Sequence, residues 1–174
     1  MIYNFIIIGG GIVGASTAWQ LMSRYPDKKI LLIEKEASVG LHQTGHNSGV
    51  IHAGVYYEPG SLKAQFCKQG LKDTIRFCQS NDINFNQCGK LLVAKNSNEI
   101  IRMKTLFERC QINGIEVQWI DAQKLESMEP NIQGLGAIFV KQTGIVDYTE
   151  VTFKMTELFK ECGGNVRFNT EVIA

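Results

Sequence analysis

Residues 3–14, Tyr3-Asn4-Phe5-Ile6-Ile7-Ile8-Gly9-Gly10-Gly11-Ile12-Val13-Gly14, decide how the rest of this chain is read. Residues 3–8 form a short apolar run suited to a buried parallel strand. The glycines after it spell Gly9-x-Gly11-x-x-Gly14, and residues 15–24 then carry Ala18, Leu21 and Met22 on one helical face. Pro26 suits the end of that helix, and residues 30–33 make a second apolar strand that leads into Glu34. The result is a β-α-β unit, a crossover that is right-handed in nearly all proteins.

Each glycine has a physical reason. Gly9 permits the tight turn out of the strand, Gly11 lets the backbone approach a pyrophosphate with no Cβ between, and Gly14 lets the helix pack closely on the strand. The helix start offers backbone N–H groups and a partial positive charge to phosphate oxygens. Glu34 lies 20 residues past Gly14, at the end of the next strand. A carboxylate there accepts hydrogen bonds from an adenosine ribose, and its charge argues against a 2′-phosphate and so against NADP.

Residues 36–60 follow no helical or alternating period. They hold five glycines (Gly40, Gly45, Gly49, Gly54, Gly60) and all three histidines of the protein, His42, His46 and His52. A long glycine-rich segment that concentrates polar chemistry is more often functional than a plain connector. The histidines stand at i, i+4 and i+10, but Gly45 and Gly49 speak against the continuous helix that would make this spacing a metal site. No acidic residue lies between His42 and Tyr57, so no metal is expected. Val50, Ile51, Val55, Tyr56 and Tyr57 suit a buried loop lying against a flat ring better than a surface loop.

Further out, residues 61–80 read as a helix with Leu62, Phe66, Ile75 and Cys78 inward. Residues 83–85 and 91–94 read as strands about a turn at Cys88-Gly89. Asn96 and Glu99 form a capping box for a helix that carries Ile100, Met103, Phe107 and Cys110 inward and ends at Gly114. Residues 115–120 and 136–141 are strands separated by an Asp121-capped turn of helix. Asp147 and Glu150 open a helix that closes at Gly163-Gly164, and residues 165–174 read as strand, turn, strand. The last strand stops in mid-run, which suits a piece of a longer protein. The expected class is α/β. A dinucleotide-binding part over 1–80 and 147–174 is interrupted by a mixed segment, 81–146, belonging to a second, substrate-facing domain.

Composition narrows the function. Of the 174 residues 44% are hydrophobic and 20% charged, which excludes a disordered or collagen-like chain. A formal net charge of +1 leaves no footprint for nucleic acid. The apolar run at 5–8 falls far short of the roughly 18 residues of a transmembrane segment, and the N-terminus lacks the basic start of a signal peptide. Five cysteines without a CxxC pair read as free thiols of a reducing compartment, and so point to a cytoplasmic protein.

The order GGGIVG, LLIEKE, HQTGHNSGVIHAGVYYEPGSLKAQFC and GIVDYTEV closely resembles the FAD-dependent L-2-hydroxyglutarate dehydrogenases or oxidases, within the D-amino-acid-oxidase-like flavoprotein superfamily. HNSGVIHAGVYY carries most of the specificity, since unrelated dehydrogenases share the glycine loop. The resemblance implies a Rossmann-like FAD-binding β-α-β domain interleaved with the start of an α+β substrate domain, at less than half of that family's length. It implies non-covalent FAD held by Gly9, Gly11, Ile12, Val13, Gly14, Glu34 and Lys35, with Lys35 either over the adenine side or solvated. Thr44, Gly45, His46, Asn47, Ser48 and Gly49 match the segment running beside the pyrophosphate and the isoalloxazine. Val172 matches the strand whose backbone meets the adenine.

The implied reaction is oxidation of a small 2-hydroxy acid, L-2-hydroxyglutarate, to 2-oxoglutarate, with a hydride passing to flavin N5 and His52 as the base. Histidine suits that role because its unperturbed pKa is about 6.5. Glycerol 3-phosphate or an amino acid stays open as the substrate. The electron acceptor also stays open among oxygen, a quinone and a carrier protein, and a quinone would place the protein at the periphery of a membrane. An NAD-dependent dehydrogenase explains the glycines and Glu34 but leaves residues 42–57 without a role. A cofactor-binding fragment with no activity of its own is the plainest alternative.

Overall fold

In the computed structural model, which describes residues 2–173, the apolar runs and the glycines between them become β1 (Phe5–Ile8), α1 (Ile12–Arg24) and β2 (Ile30–Ile33). The chain continues as β3 (Val50–Ile51), α2 (Leu62–Ser80), β4 (Phe85–Asn86), β5 (Lys90–Ala94), α3 (Ser97–Ile112) and β6 (Val117–Asp121). It then forms α4 (Ala122–Met128), β7 (Gly136–Val140), β8 (Gly144–Val146), α5 (Tyr148–Glu161) and β9 (Asn165–Arg167). Two compact units result, Met1–Gly49 with Asn81–Ile83 and Asp147–Ala174, and Val50–Ser80 with Asn84–Val146.

The first unit is a parallel sheet in the order β1-β2-β9. Phe5 stands opposite Ile30 and Ile8 opposite Ile33, while Leu31 to Ile33 face Asn165 to Arg167 on the other side. α1 and α5 pack together on one face, and Ala18, Met22, Ile30, Leu32 and Phe159 close the core there. As the middle strand, β2 buries Ile30, Leu31 and Leu32. β1 was expected to be buried as well, and it is not: Ile6 is 56% and Ile8 66% exposed. Among the described residues the strand is bonded to β2 alone, and of its side chains only Ile7 reaches the helix-covered core.

The chain end also differs from expectation. Only β9 forms, and no second strand follows it among the described residues; Ala174 lies outside them. Asn169 takes a left-handed backbone (φ 50°), which breaks the extended run. The amides of Asn169 and Thr170 donate instead to the carbonyls of Glu36 and Glu34, both at 3.0 Å, and dock the tail on the end of β2.

The second unit holds two antiparallel sheets, β5-β7-β6 and β3-β8-β4. Ile138 and Val140 of β7 pack under α3 with Met103 and Cys110, and Ala137 packs on the opposite face with Leu125 of α4. The caps read from sequence are present: Asn96 Oδ1 accepts from Glu99 N, Asp121 Oδ1 from Lys124 N, and Asp147 Oδ1 from Thr149 N. Glu99 closes its box one residue early, with its carboxylate on Lys95 N.

Two sequence expectations give way in this part. Residues 50–80 fall in the second unit, so the first segment of the glycine-loop unit ends at Gly49 and not at 80. The reason is packing, since Ala53, Val55 and Leu71 belong to the core under α3. Within α2 the inward stripe contains Cys67, Leu71, Ile75 and Cys78. Leu62 and Phe66 are 67% and 70% exposed, because Phe66 lies about 100° round the helix from Cys67. No helix among the described residues is long and apolar enough to cross a membrane.

Candidate functional site

The strand-to-helix turn of the first unit is built on backbone that side chains would obstruct. Gly9 is left-handed (φ 100°), and a Cβ on Gly14 would sit 1.9 Å from the Gly9 carbonyl oxygen. Gly11 caps α1 without a side chain of its own, and Thr44 does the capping from a distance: Ile12 N–H donates to Thr44 Oγ1 at 2.9 Å. A Cβ on Gly11 would meet that same hydroxyl at 3.3 Å. The next amides, Val13 and Gly14, lie at the helix start, where no preceding turn supplies carbonyls. Val13 is 76% exposed there.

Glu34 faces this turn. It is only 7% exposed, and its carboxylate accepts Gly10 N–H at 2.5 Å and Glu36 N–H at 2.9 Å. Burial pushes the carboxyl up. The N–H bonds from Glu36, Gly10 and Lys35, together with the His42 imidazole, outweigh it and hold Glu34 below the usual carboxylate range. Gly10 was not singled out from sequence, yet a Cβ there would stand 3.0 Å from Glu34 Oε2. The middle glycine of the Gly9-Gly10-Gly11 run is the available signal. Lys35 is exposed, with its ammonium 3.9 Å from Glu36, and Glu36 is held more closely by His42 Nε2 at 2.9 Å. Val172 is half exposed in the tail beyond β9, outside any strand.

Residues 42–49 form a string of turns rather than a helix. The carbonyl of His42 accepts both Gly45 N–H and His46 Nδ1–H. Asn47 binds within the turn, and Ser48 is exposed. Gly45 tolerates no side chain, as a Cβ would lie 2.7 Å from the Gly40 carbonyl. Thr44 through Gly49 thus belong to the same unit as the glycine turn, with Thr44 in contact with it.

His52 belongs to the other unit and sits at the head of a strap, residues 52–57, within the stretch that the sequence reads as a buried loop against a flat ring. The ring is exposed, while the carbonyls behind it are gripped one after another. Cys67 Sγ–H donates to His52 O at 3.2 Å, Cys110 Sγ–H to Val55 O at 3.8 Å, Arg109 to Tyr56 O at 3.3 Å and Asn113 to Tyr57 O at 2.9 Å. Burial pushes both thiols up, which keeps them protonated and able to donate. The Lys90 ammonium lies 5.4 Å from the Tyr56 ring centre, a cation–π distance. None of these four donors carries a sequence signal, because each reaches the strap from a helix remote in the chain. Among the described residues no cluster of His, Cys, Asp or Glu could hold a metal ion.

Residues 4–174 match the family described as FAD dependent oxidoreductase. The chain is 56% identical to the L-2-hydroxyglutarate dehydrogenase of Escherichia coli K12 over 98% of its length, and 44% identical to the mitochondrial L-2-hydroxyglutarate dehydrogenase of Homo sapiens, again over 98%. It spans 40% and 37% of those relatives. Its fold is similar to that of an L-α-glycerophosphate oxidase from Mycoplasma pneumoniae solved with FAD bound (TM-score 0.90, 23% identity, 98% of this chain and 45% of that one). It is also similar to that of an L-proline dehydrogenase from P. horikoshii (TM-score 0.87, 22% identity, 98% and 45%).

Proposed function

The chain belongs to the FAD-dependent oxidoreductase family, and from that premise we propose that it is part of an enzyme that oxidises L-2-hydroxyglutarate to 2-oxoglutarate. The observation that carries the reading is the identity of 56% to an L-2-hydroxyglutarate dehydrogenase over nearly the whole chain. The glycine turn is its physical counterpart, with its unobstructed backbone and its buried, ionised Glu34.

The residues present fit a dinucleotide. The start of α1 and the turn at Gly9–Gly11 suit a diphosphate, since the Val13 and Gly14 amides lie at the positive end of the helix dipole and the glycines put no Cβ in the way. Glu34 accepts Gly10 N–H on Oε2 and Glu36 N–H on Oε1, and a carboxylate has acceptor capacity beyond these for a ribose hydroxyl. The segment Thr44–Gly49 belongs to the same unit, and the tail carrying Val172 follows β9 and docks on the end of β2. FAD, held there non-covalently, supplies a two-electron acceptor for the hydrogen on the substrate α-carbon. His52 accepts the hydroxyl proton, a task its exposed position allows. The strap behind it restricts its backbone, so that the ring is aimed by groups that do not themselves react.

The test uses the full-length protein. It should purify yellow, release FAD on acid or heat treatment, and reduce an artificial electron acceptor with L-2-hydroxyglutarate but not with its D enantiomer. A colourless protein that binds NADH, or a yellow one that turns over glycerol 3-phosphate and not L-2-hydroxyglutarate, would overturn the reading.

A further inference from the structure

The turn at residues 44–49 contains a side chain whose hydrogen bonds point the wrong way for a cofactor ligand. Asn47 Nδ2 donates to the Thr44 carbonyl at 2.6 Å, and Asn47 Oδ1 accepts Gly49 N–H at 2.6 Å. Both ends of the amide are used inside the turn. The residue it holds is Thr44, which is 8% exposed and whose Oγ1 accepts Ile12 N–H, 32 residues away in sequence. A hydroxyl that accepts on one side can donate on the other. Oγ1 therefore stands at the start of α1 with its own proton available, 3.3 Å from where a Cβ on Gly11 would be.

We propose that Asn47 is a positioning residue for the diphosphate cradle. It clamps the turn so that Thr44 Oγ1 stays on Ile12 N–H and turns its proton toward a phosphate oxygen, and it does not touch the cofactor itself. This rests on the FAD-binding reading above and changes the role that resemblance assigns to Asn47.

The experiment is a double-mutant cycle on the full-length protein stripped of FAD, with binding followed by flavin fluorescence. Thr44→Val and Asn47→Ala should each weaken FAD binding by roughly 10- to 100-fold, the worth of a hydrogen bond to a charged group. The double variant should be no weaker than the poorer single one, since both remove the same contact. Displacement by ADP, which keeps the diphosphate, should weaken by the same factor, while displacement by adenosine should not change. A purely structural role for Asn47 would weaken adenosine as well, and that result overturns the proposal. So do additive losses in the double variant, which would mean that Asn47 meets FAD directly. A wild-type protein that binds no FAD would overturn the cofactor reading before any variant is compared.

Discussion

His52 and Glu34 make different demands on their surroundings, and each can be tested alone. If His52 is the base, His52→Asn should keep FAD and lose about 10²- to 10⁴-fold in kcat, the usual contribution of general-base catalysis. The acidic limb of the pH–rate profile should flatten with it. His46→Ala should instead change the flavin spectrum or its retention. If His46→Ala abolished turnover while His52→Asn stayed active, the two roles would be exchanged. Glu34 reports through pH. Its folded-state carboxyl is held below the ordinary value, so the stability it contributes is present in full above the unfolded pKa of about 4.3. That contribution is lost as pH falls through the folded value. Thermal melts between neutral and acidic pH should show a shallower loss for Glu34→Gln than for the wild type, from a lower starting point. Equal acid limbs would mean that the Gly10 and Glu36 bonds contribute nothing to folding.

At the scale of elements, the strap at 52–57 depends on α2 and α3, and this dependence can be measured away from the histidine itself. Asn113 follows α3 and holds the Tyr57 carbonyl, while Cys67 of α2 holds that of His52. Cys67→Ala should lower kcat with KM nearly unchanged, as a loosened base is aimed less well. Cys67→Ser, which restores a donor, should recover part of the loss. A fall in stability with no change in kcat would assign the thiol to packing alone. The helices were legible from their caps, because Asn96, Asp121 and Asp147 satisfy amides that belong to their own first turns. Which face of α2 turns inward was not legible. Leu62 and Phe66 are as apolar as Leu71, and only the position of the β5-β7-β6 core selects between them.

For the whole molecule, the exposed side of β1 has a consequence in solution. Ile6 and Ile8 are open to solvent on a strand with a free edge, and Val13 is exposed at the helix start. Apolar surface on an edge strand favours pairing with another chain. The 174 residues alone should therefore self-associate with rising concentration in light scattering, and should not turn over L-2-hydroxyglutarate. A monomer at all concentrations with full turnover would contradict both expectations.

By itself the sequence determined the β-α-β unit, the helix starts and the place of Glu34. These rest on local rules, since a glycine's missing Cβ, a capping side chain and a run of apolar residues act within a few positions of where they stand. Only the tertiary structure decided that residues 50–80 leave the glycine-loop unit, that β1 is an edge, and that the tail docks on β2 without forming a second strand. It also decided that Thr44 caps a helix 32 residues away and that four side chains from remote positions hold the histidine strap. The physical reason is the same in each case. These features depend on which surfaces meet, and a hydrogen bond between residues far apart in the chain leaves no spacing to read.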